Sequence, residues 1–327
     1  MIWDKEASDD TAQQEARRLA SPAPMHASPP RSTLLRPMAW LTLVLLLAVT
    51  CLSAYLRHSA SGLGCTPWPA CFGQGQGAAA GAIVVAGQAL TLARAAHRVT
   101  ATLALLLIVA MVIACAVARP RLLREGALSL ALLVIALTLA VLGVFTPGSR
   151  LPAVAIGNLL GGFAMLAIAA RLPAPSTHKG LGIVAIGVAL LLVLQTVGGV
   201  FVSATLAGLA CIDIRECAAQ ARTAGWDWRA LDPWRVASFS VGAAHGDGAL
   251  ALLLHRGSSI VLTLVLAAFA AVVMRHGQRH AGWLLMGLLA LQVALGLAIG
   301  STGLPLVPVL LHNLATALLL AIVVRLA

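Results

Sequence analysis

Eight apolar runs separated by short polar segments set the limits on this fold. They cover 37–56, 96–118, 127–145, 152–171, 180–202, 249–274, 282–300 and 307–326. Each is close to the ~20 residues that a helix needs to cross roughly 30 Å of hydrocarbon. Hydrophobic residues make up 60% of the 327 positions, too many for a soluble core to use. The runs carry Leu, Ala, Val and Ile on all sides rather than in alternation, which favours helices over a barrel. The expected fold class is an all-α membrane protein, with eight transmembrane helices as two parallel pseudo-symmetric four-helix bundles.

Charge orients the helices. The net charge of +11 comes from a basic tail (Lys5, Arg17, Arg18, Arg31, Arg36) and from alternate short loops. Those loops carry Arg119, Arg121 and Arg124, then Arg171 and Lys179, then Arg275 and Arg279. The positive-inside rule places them in the cytoplasm with both termini. The pattern accounts for the charge, and no nucleic-acid partner is expected. Residues 1–36 read as a disordered cytoplasmic tail, and their acids (Asp4, Glu6, Asp9, Asp10, Glu15) argue against a mitochondrial transit peptide. The first apolar run is too long for a signal-peptide core and is expected to be retained. No expected span contains a carboxylate, which lowers the weight of ion-coupled transport.

The chain also repeats itself. Cys65 and Cys71 precede His97-Arg98, and Cys211 and Cys217 precede His255-Arg256. Each half reads helix, long outer loop, His-Arg helix, short inner loop, helix, Leu-Pro loop, final helix. The expected halves are 37–171 and 181–327, joined by an inner linker, 172–180. Four helices per half is an even number, so this internal duplication is parallel and matched sites share a depth. The Cys loops then face outward, where a disulfide can persist.

The final helices open alike, at Leu151-Pro152 and Leu304-Pro305. His312 lies roughly 10 Å inward of Pro305 at 1.5 Å per residue, and His255 lies at a matched depth. Two imidazoles on neighbouring helices can hold a heme iron as axial ligands. The alternative is a pair of packing histidines bonded to backbone carbonyls. Arg98 and Arg256 suit heme propionates or simple snorkelling. Zinc is a weaker alternative, because the spans add only Cys51 and Cys115 as further ligands. His58 and His245 sit near the Cys loops with no assigned role.

The segment Ser61-Gly62-Leu63-Gly64-Cys65-Thr66-Pro67-Trp68-Pro69-Ala70-Cys71 resembles the first outer-loop signature of the heme A synthase family. Gln195-Thr196-Val197-Gly198-Gly199-Val200, followed by Cys211 and Cys217, is similar to its second-half counterpart. The resemblance covers about 37–327. It implies a bacterial inner-membrane oxidoreductase that converts the C8 methyl of heme O to the formyl group of heme A. It further implies a heme b between His255 and His312, the substrate heme in the first half at His97, and a role in cytochrome oxidase assembly. Disulfides within each loop, Cys65 with Cys71 and Cys211 with Cys217, are implied as well. Heme O synthase, a membrane or periplasmic electron donor and a second copy of the chain are candidate partners, alongside the lipid bilayer.

The first half departs from the family pattern. No histidine occurs from 98 to 177 after His97-Arg98, so the family's second ligand there is replaced by Gly157 or Asn158, and Arg94 stands where many members carry Glu. Either His97 serves as sole protein ligand, with Asn158 orienting oxygen or substrate, or the first half is not catalytic. The rival function is a non-catalytic protein for heme binding, electron transfer or heme delivery.

Overall fold

The computed structural model describes residues 30–60, 80–118, 122–145, 149, 151–173, 181–205, 207–235 and 246–327. Cys65, Cys71, His245 and residues 1–29 lie outside these segments, as does the expected first-loop disulfide. The described residues form nine α-helices, two short 3-10 turns and no strand. They are α1 (Pro30–Ala60), α2 (Ala80–Val117), α3 (Leu123–Phe145), α4 (Pro152–Arg171) and α5 (Gly182–Ala204). Then follow α6 (Ile214–Thr223), α7 (Gly246–Arg275), α8 (Arg279–Thr302) and α9 (Leu306–Leu326). All but α6 are long and apolar enough to cross a membrane, which makes eight candidate spans as expected.

Helices α1 to α4 pack as a ring of neighbours, and α5, α7, α8 and α9 form another. The two rings meet along α1, α4, α5 and α9. Ala169 and Ala170 of α4, Ala185 of α5 and Ala317 of α9 are fully buried there. Small residues let helix backbones approach closely in lipid, where van der Waals contact must replace the hydrophobic drive. Phe163, Leu166, Leu192, Leu319 and Leu320 fill the space between. The peripheral helices turn Leu106, Val134, Leu264 and Leu297 outward, which carries no penalty against acyl chains.

Both ends of the seam are tied by polar contacts. At one end Arg171 of α4 donates to the Val324 carbonyl of α9 at 3.3 Å, and Arg325 of α9 donates to the Ala170 carbonyl of α4 at 3.5 Å. Each guanidinium satisfies a last-turn carbonyl that its neighbour leaves open and complements the negative end of that helix. At the opposite end His58 Nε2, closing α1, donates to the Leu304 carbonyl between α8 and α9 at 2.9 Å. The Ala153 N–H at the start of α4 donates to the Pro233 carbonyl at 2.8 Å. Each ring thus reaches across to fasten the other.

Three boundaries differ from the sequence expectation. Helix α1 starts at Pro30, inside the segment read as tail; proline suits a first helical position because its missing N–H has no helical partner anyway. Helix α2 starts at Ala80, well before the expected 96, and its 38 residues extend about 57 Å against roughly 30 Å of hydrocarbon. Gly87, Gln88 and Arg94 break the hydropathy of this stretch but not its helix, so His97 lies well inside α2 rather than at its opening. The second outer loop was expected as plain loop, yet it holds α6 and both 3-10 turns. Asp213-Ile214-Arg215-Glu216 explains α6. The Asp213 carboxylate accepts the Arg215 and Glu216 N–H groups at 2.8 Å, and Glu216 Oε2 accepts the Ile212 N–H at 2.6 Å, a near relative of the capping box.

Candidate functional site

Gln195, Gly198 and Gly199 share one face of α5, three and four residues apart, and that face meets His255 of α7. A β-carbon on Gly199 would lie 3.0 Å from His255 Cε1, and one on Gly198 would lie 3.5 Å from Nδ1. The imidazole therefore lies close against the backbone at Gly199, where a side chain would force the ring to shift, and at ordinary contact distance from Gly198. Gln195 grips it: its Nε2 lies 3.0 Å from His255 Nδ1 and donates to the His255 carbonyl at 2.9 Å. Ser258, one turn along α7, places its hydroxyl 2.6 Å from Gln195 Oε1.

His312 of α9 is held in the same way by α8. Gln292 Nε2 lies 3.0 Å from His312 Nε2 and donates to Thr316 Oγ1 at 2.7 Å. Thr316 in turn donates to the His312 carbonyl at 2.9 Å. Gly296, one turn beyond Gln292, faces the ring, and a β-carbon there would make ordinary contact with His312 Cε1 at 3.5 Å. The two imidazoles are within electrostatic reach of each other. His312 Nδ1 and Gln292 Oε1 are buried with no hydrogen-bond partner. Leaving such atoms unpaired costs about 1–3 kcal/mol each, so this pocket carries unmet polar demand. Two imidazoles, glycine-lined walls and that unmet demand fit a planar iron-bearing group better than sealed packing.

Above the pair lies a lid from the second outer loop. Cys211 and Cys217 form the expected disulfide, with their α-carbons 5.2 Å apart. Both pack with Phe201, Ala207, Ala249 and Leu252. Arg256 ties this lid to α7: its guanidinium donates to the Ile212 carbonyl at 3.0 Å and the Cys211 carbonyl at 3.3 Å, and lies 3.5 Å from Cys217 Sγ. Hydrogen bonds from the backbone N–H of Glu216, then of Arg215, hold the Asp213 carboxyl below the usual carboxylate range.

The first ring is built differently. His97 is partly buried and within electrostatic reach of Arg57 and Arg98, but no described residue hydrogen-bonds its ring. Arg57 of α1 donates to Ser53 at 3.0 Å. Arg94 and Arg98 are exposed. Asn158 is partly buried and shares no hydrogen bond with His97. A β-carbon on Gly157 would lie 3.3 Å from Leu142 Cδ2, and one on Gly161 would lie 2.5 Å from Leu139 Cδ2. Gly157 and Gly161 are spaced as His312 and Thr316 are, and Leu139 meets Gly161 as Gln292 meets Thr316. Apolar packing occupies the place of a polar cradle.

The sequence reading named the three histidines but not Gln292, Thr316, Ser258 or Arg57. The available signal was the amides themselves, since Gln inside an apolar span needs a partner. No group of three or more His, Cys, Asp or Glu residues assembles among the described residues.

Eight long apolar helices define a polytopic membrane protein, and a pair of amide-braced histidines lies among them. Residues 36–324 match the family of the cytochrome oxidase assembly protein, COX15-CtaA, and the chain belongs to that family, the heme A synthases. The family's oxidoreductase activity serves heme A biosynthesis. No curated protein matches the chain.

Proposed function

We propose that this chain oxidises the C8 methyl of heme O to the formyl group of heme A. The substrate heme sits in the first ring at His97, and a heme b sits between His255 and His312. The observation that carries the reading is the second cradle, where two imidazoles are braced by amides beside buried, unpaired His312 Nδ1 and Gln292 Oε1. A bound heme b would supply one-electron transfer to the reacting half. His255 and His312 would hold it, Gly198, Gly199 and Gly296 would admit its plane, and the disulfide lid would keep bulk water from its edge.

His97 would hold the substrate as its sole protein ligand. That suits oxidation by O2, which needs a free coordination position. Asn158 would orient oxygen or substrate with its amide. Arg57 would present a positive charge beside His97 to a substrate carboxylate. The Arg-rich ends and both termini would face the cytoplasm of a bacterial inner membrane, and the disulfide lid would face out.

One feature favours the non-catalytic reading. Leu139 and Leu142 close the wall where a second first-ring ligand would stand. Heme A yield decides between the two readings in a host that supplies heme O. The catalytic reading expects heme A from the wild type and none from His97→Ala, with Asn158→Ala giving a lesser loss. Unchanged yield in His97→Ala would remove the chemistry from this site, and no heme A from folded wild type would leave the binding protein.

A further inference from the structure

We propose that Gln292 and Gln195 are positioning residues that set the electron-donor strength of the His312 and His255 ligands, with Thr316 and Ser258 fixing how each amide can turn. This rests on the reading that a heme lies between the two histidines.

Proton bookkeeping carries the argument. The Thr316 hydroxyl has one hydrogen, which goes to the His312 carbonyl at 2.9 Å. Its oxygen can only accept from Gln292, so the amide atom 2.7 Å away must be the nitrogen. The same nitrogen faces His312 Nε2 at 3.0 Å, so Nε2 accepts and the ring proton sits on Nδ1. The ring as placed cannot ligate a metal. One nitrogen's lone pair is taken by the amide, and the other nitrogen carries the proton.

A metal-bound imidazole gives one nitrogen to the metal and donates its other N–H to an acceptor. Turning the His312 ring over achieves both. The turn moves Nε2 to the place of Cε1 and brings Nδ1–H to that of Cδ2, on the ring edge that faces Gln292, whose Oε1 is the other buried, unpaired atom of the cradle. A donor without an acceptor and an acceptor without a donor then satisfy each other.

His255 follows by a different movement. Its Nδ1 now accepts from Gln195 Nε2, so ligation through its other nitrogen requires the Gln195 amide to flip and offer Oε1, giving up its 2.9 Å bond to the His255 carbonyl. Ser258 permits this. Its hydroxyl now donates to Gln195 Oε1 at 2.6 Å; once the amide flips, that hydrogen can turn to the Leu254 carbonyl 2.7 Å away, which leaves the Ser258 oxygen to accept the amide N–H. The first ring has Leu139 against Gly161 where the second has Gln292 against Thr316, so any ligand there lacks this brace.

The test is redox titration and hemin binding of the purified full chain. Gln292→Leu and Gln195→Leu keep an apolar, helix-compatible residue. Each should bind heme some 10- to 100-fold more weakly, the usual effect of removing such a partner. Each should also raise the midpoint potential, because an imidazole that loses its acceptor donates less to the iron. Gln292→Glu retains an acceptor and should restore binding, with a potential at or below wild type. Thr316→Val should shift the potential in the same direction as Gln292→Leu but by less. Leu variants with wild-type potential and affinity would overturn the positioning role while leaving the heme site standing. A wild type that takes up no heme would overturn the underlying reading instead.

Discussion

Two rings of four helices share a plan and differ in how they treat a histidine. In the second, His255 and His312 each lie against a glycine and are gripped by a glutamine. In the first, no described residue hydrogen-bonds His97, and the facing wall is Gly157 on Leu142 and Gly161 on Leu139. The contrast separates two tasks. A redox heme that must stay put benefits from two ligands with braced orientations, which costs little reorganisation during electron transfer. A substrate that must enter, react and leave benefits from one ligand and an open face. On the proposed reading, the half that departs from the family motif is the half whose chemistry needs a vacancy.

The largest expected effect breaks the braced side. His255→Ala or His312→Ala should abolish the low-spin bis-imidazole spectrum, and circular dichroism should show the helices intact. A double variant that keeps full low-spin heme would refute the pair as ligands. Nearly as large is the reverse operation. Leu139→Gln, Gly157→His and Gly161→Thr together should rebuild the second cradle in the first ring. The heme-to-protein ratio should rise and heme A formation fall as the open face closes. A variant that gains no low-spin signal would show that the rings are not equivalent frameworks.

A middle-sized effect lies at Gly199. A side chain there meets His255 Cε1 at 3.0 Å, so Gly199→Val should weaken heme retention, with overpacking of about 1–3 kcal/mol. Gly187, on the same helix with nothing within 4 Å of its would-be β-carbon, is the control, and Gly187→Val should leave heme content unchanged. Spectroscopic titration with hemin compares them.

The lid should respond more mildly. Cys217→Ser opens a short disulfide loop, for which chain entropy accounts for about 2 kcal/mol, and also removes the sulfur beside Arg256. Thermal unfolding followed at the heme band should fall by a few degrees. Smallest is a local pH effect at Asp213. Its folded-state pKa is depressed by backbone N–H donors, so its contribution is fully present above the unfolded value near 4 and is lost as pH falls through the folded value. Protection factors of the α6 amides, taken against the intrinsic exchange rate at each pH, should therefore fall on acidification, and Asp213→Asn should flatten that response.

Much of this framework is legible in the chain, and for simple reasons. Lipid demands long apolar helices with satisfied backbones, so composition and length alone place eight spans, with α4 beginning at Pro152 as expected. His255 was likewise visible in a repeated motif, His312 by its matched depth, and the Cys211–Cys217 pairing through the family resemblance. What was hidden depended on partners far apart in sequence. Gln292 reads as one amide among leucines until α8 packs on α9 and sets it against His312 and Thr316. The start of α2 was misplaced because Gly87, Gln88 and Arg94 interrupt the hydropathy, whereas the helix runs through them from Ala80. The loss of a cradle in the first ring was only half visible. The missing histidine shows in the sequence, but the leucines that fill its place show only in three dimensions.

The central claim is that the two rings divide storage and chemistry between them. Extraction and chromatographic identification of hemes from wild type, His97→Ala and His312→Ala, purified from a host supplying heme O, tests it most directly. The expected result is heme b with heme O or heme A in the wild type, heme b alone in His97→Ala, and loss of heme b in His312→Ala. Heme b retained in His312→Ala but lost in His97→Ala would contradict the account.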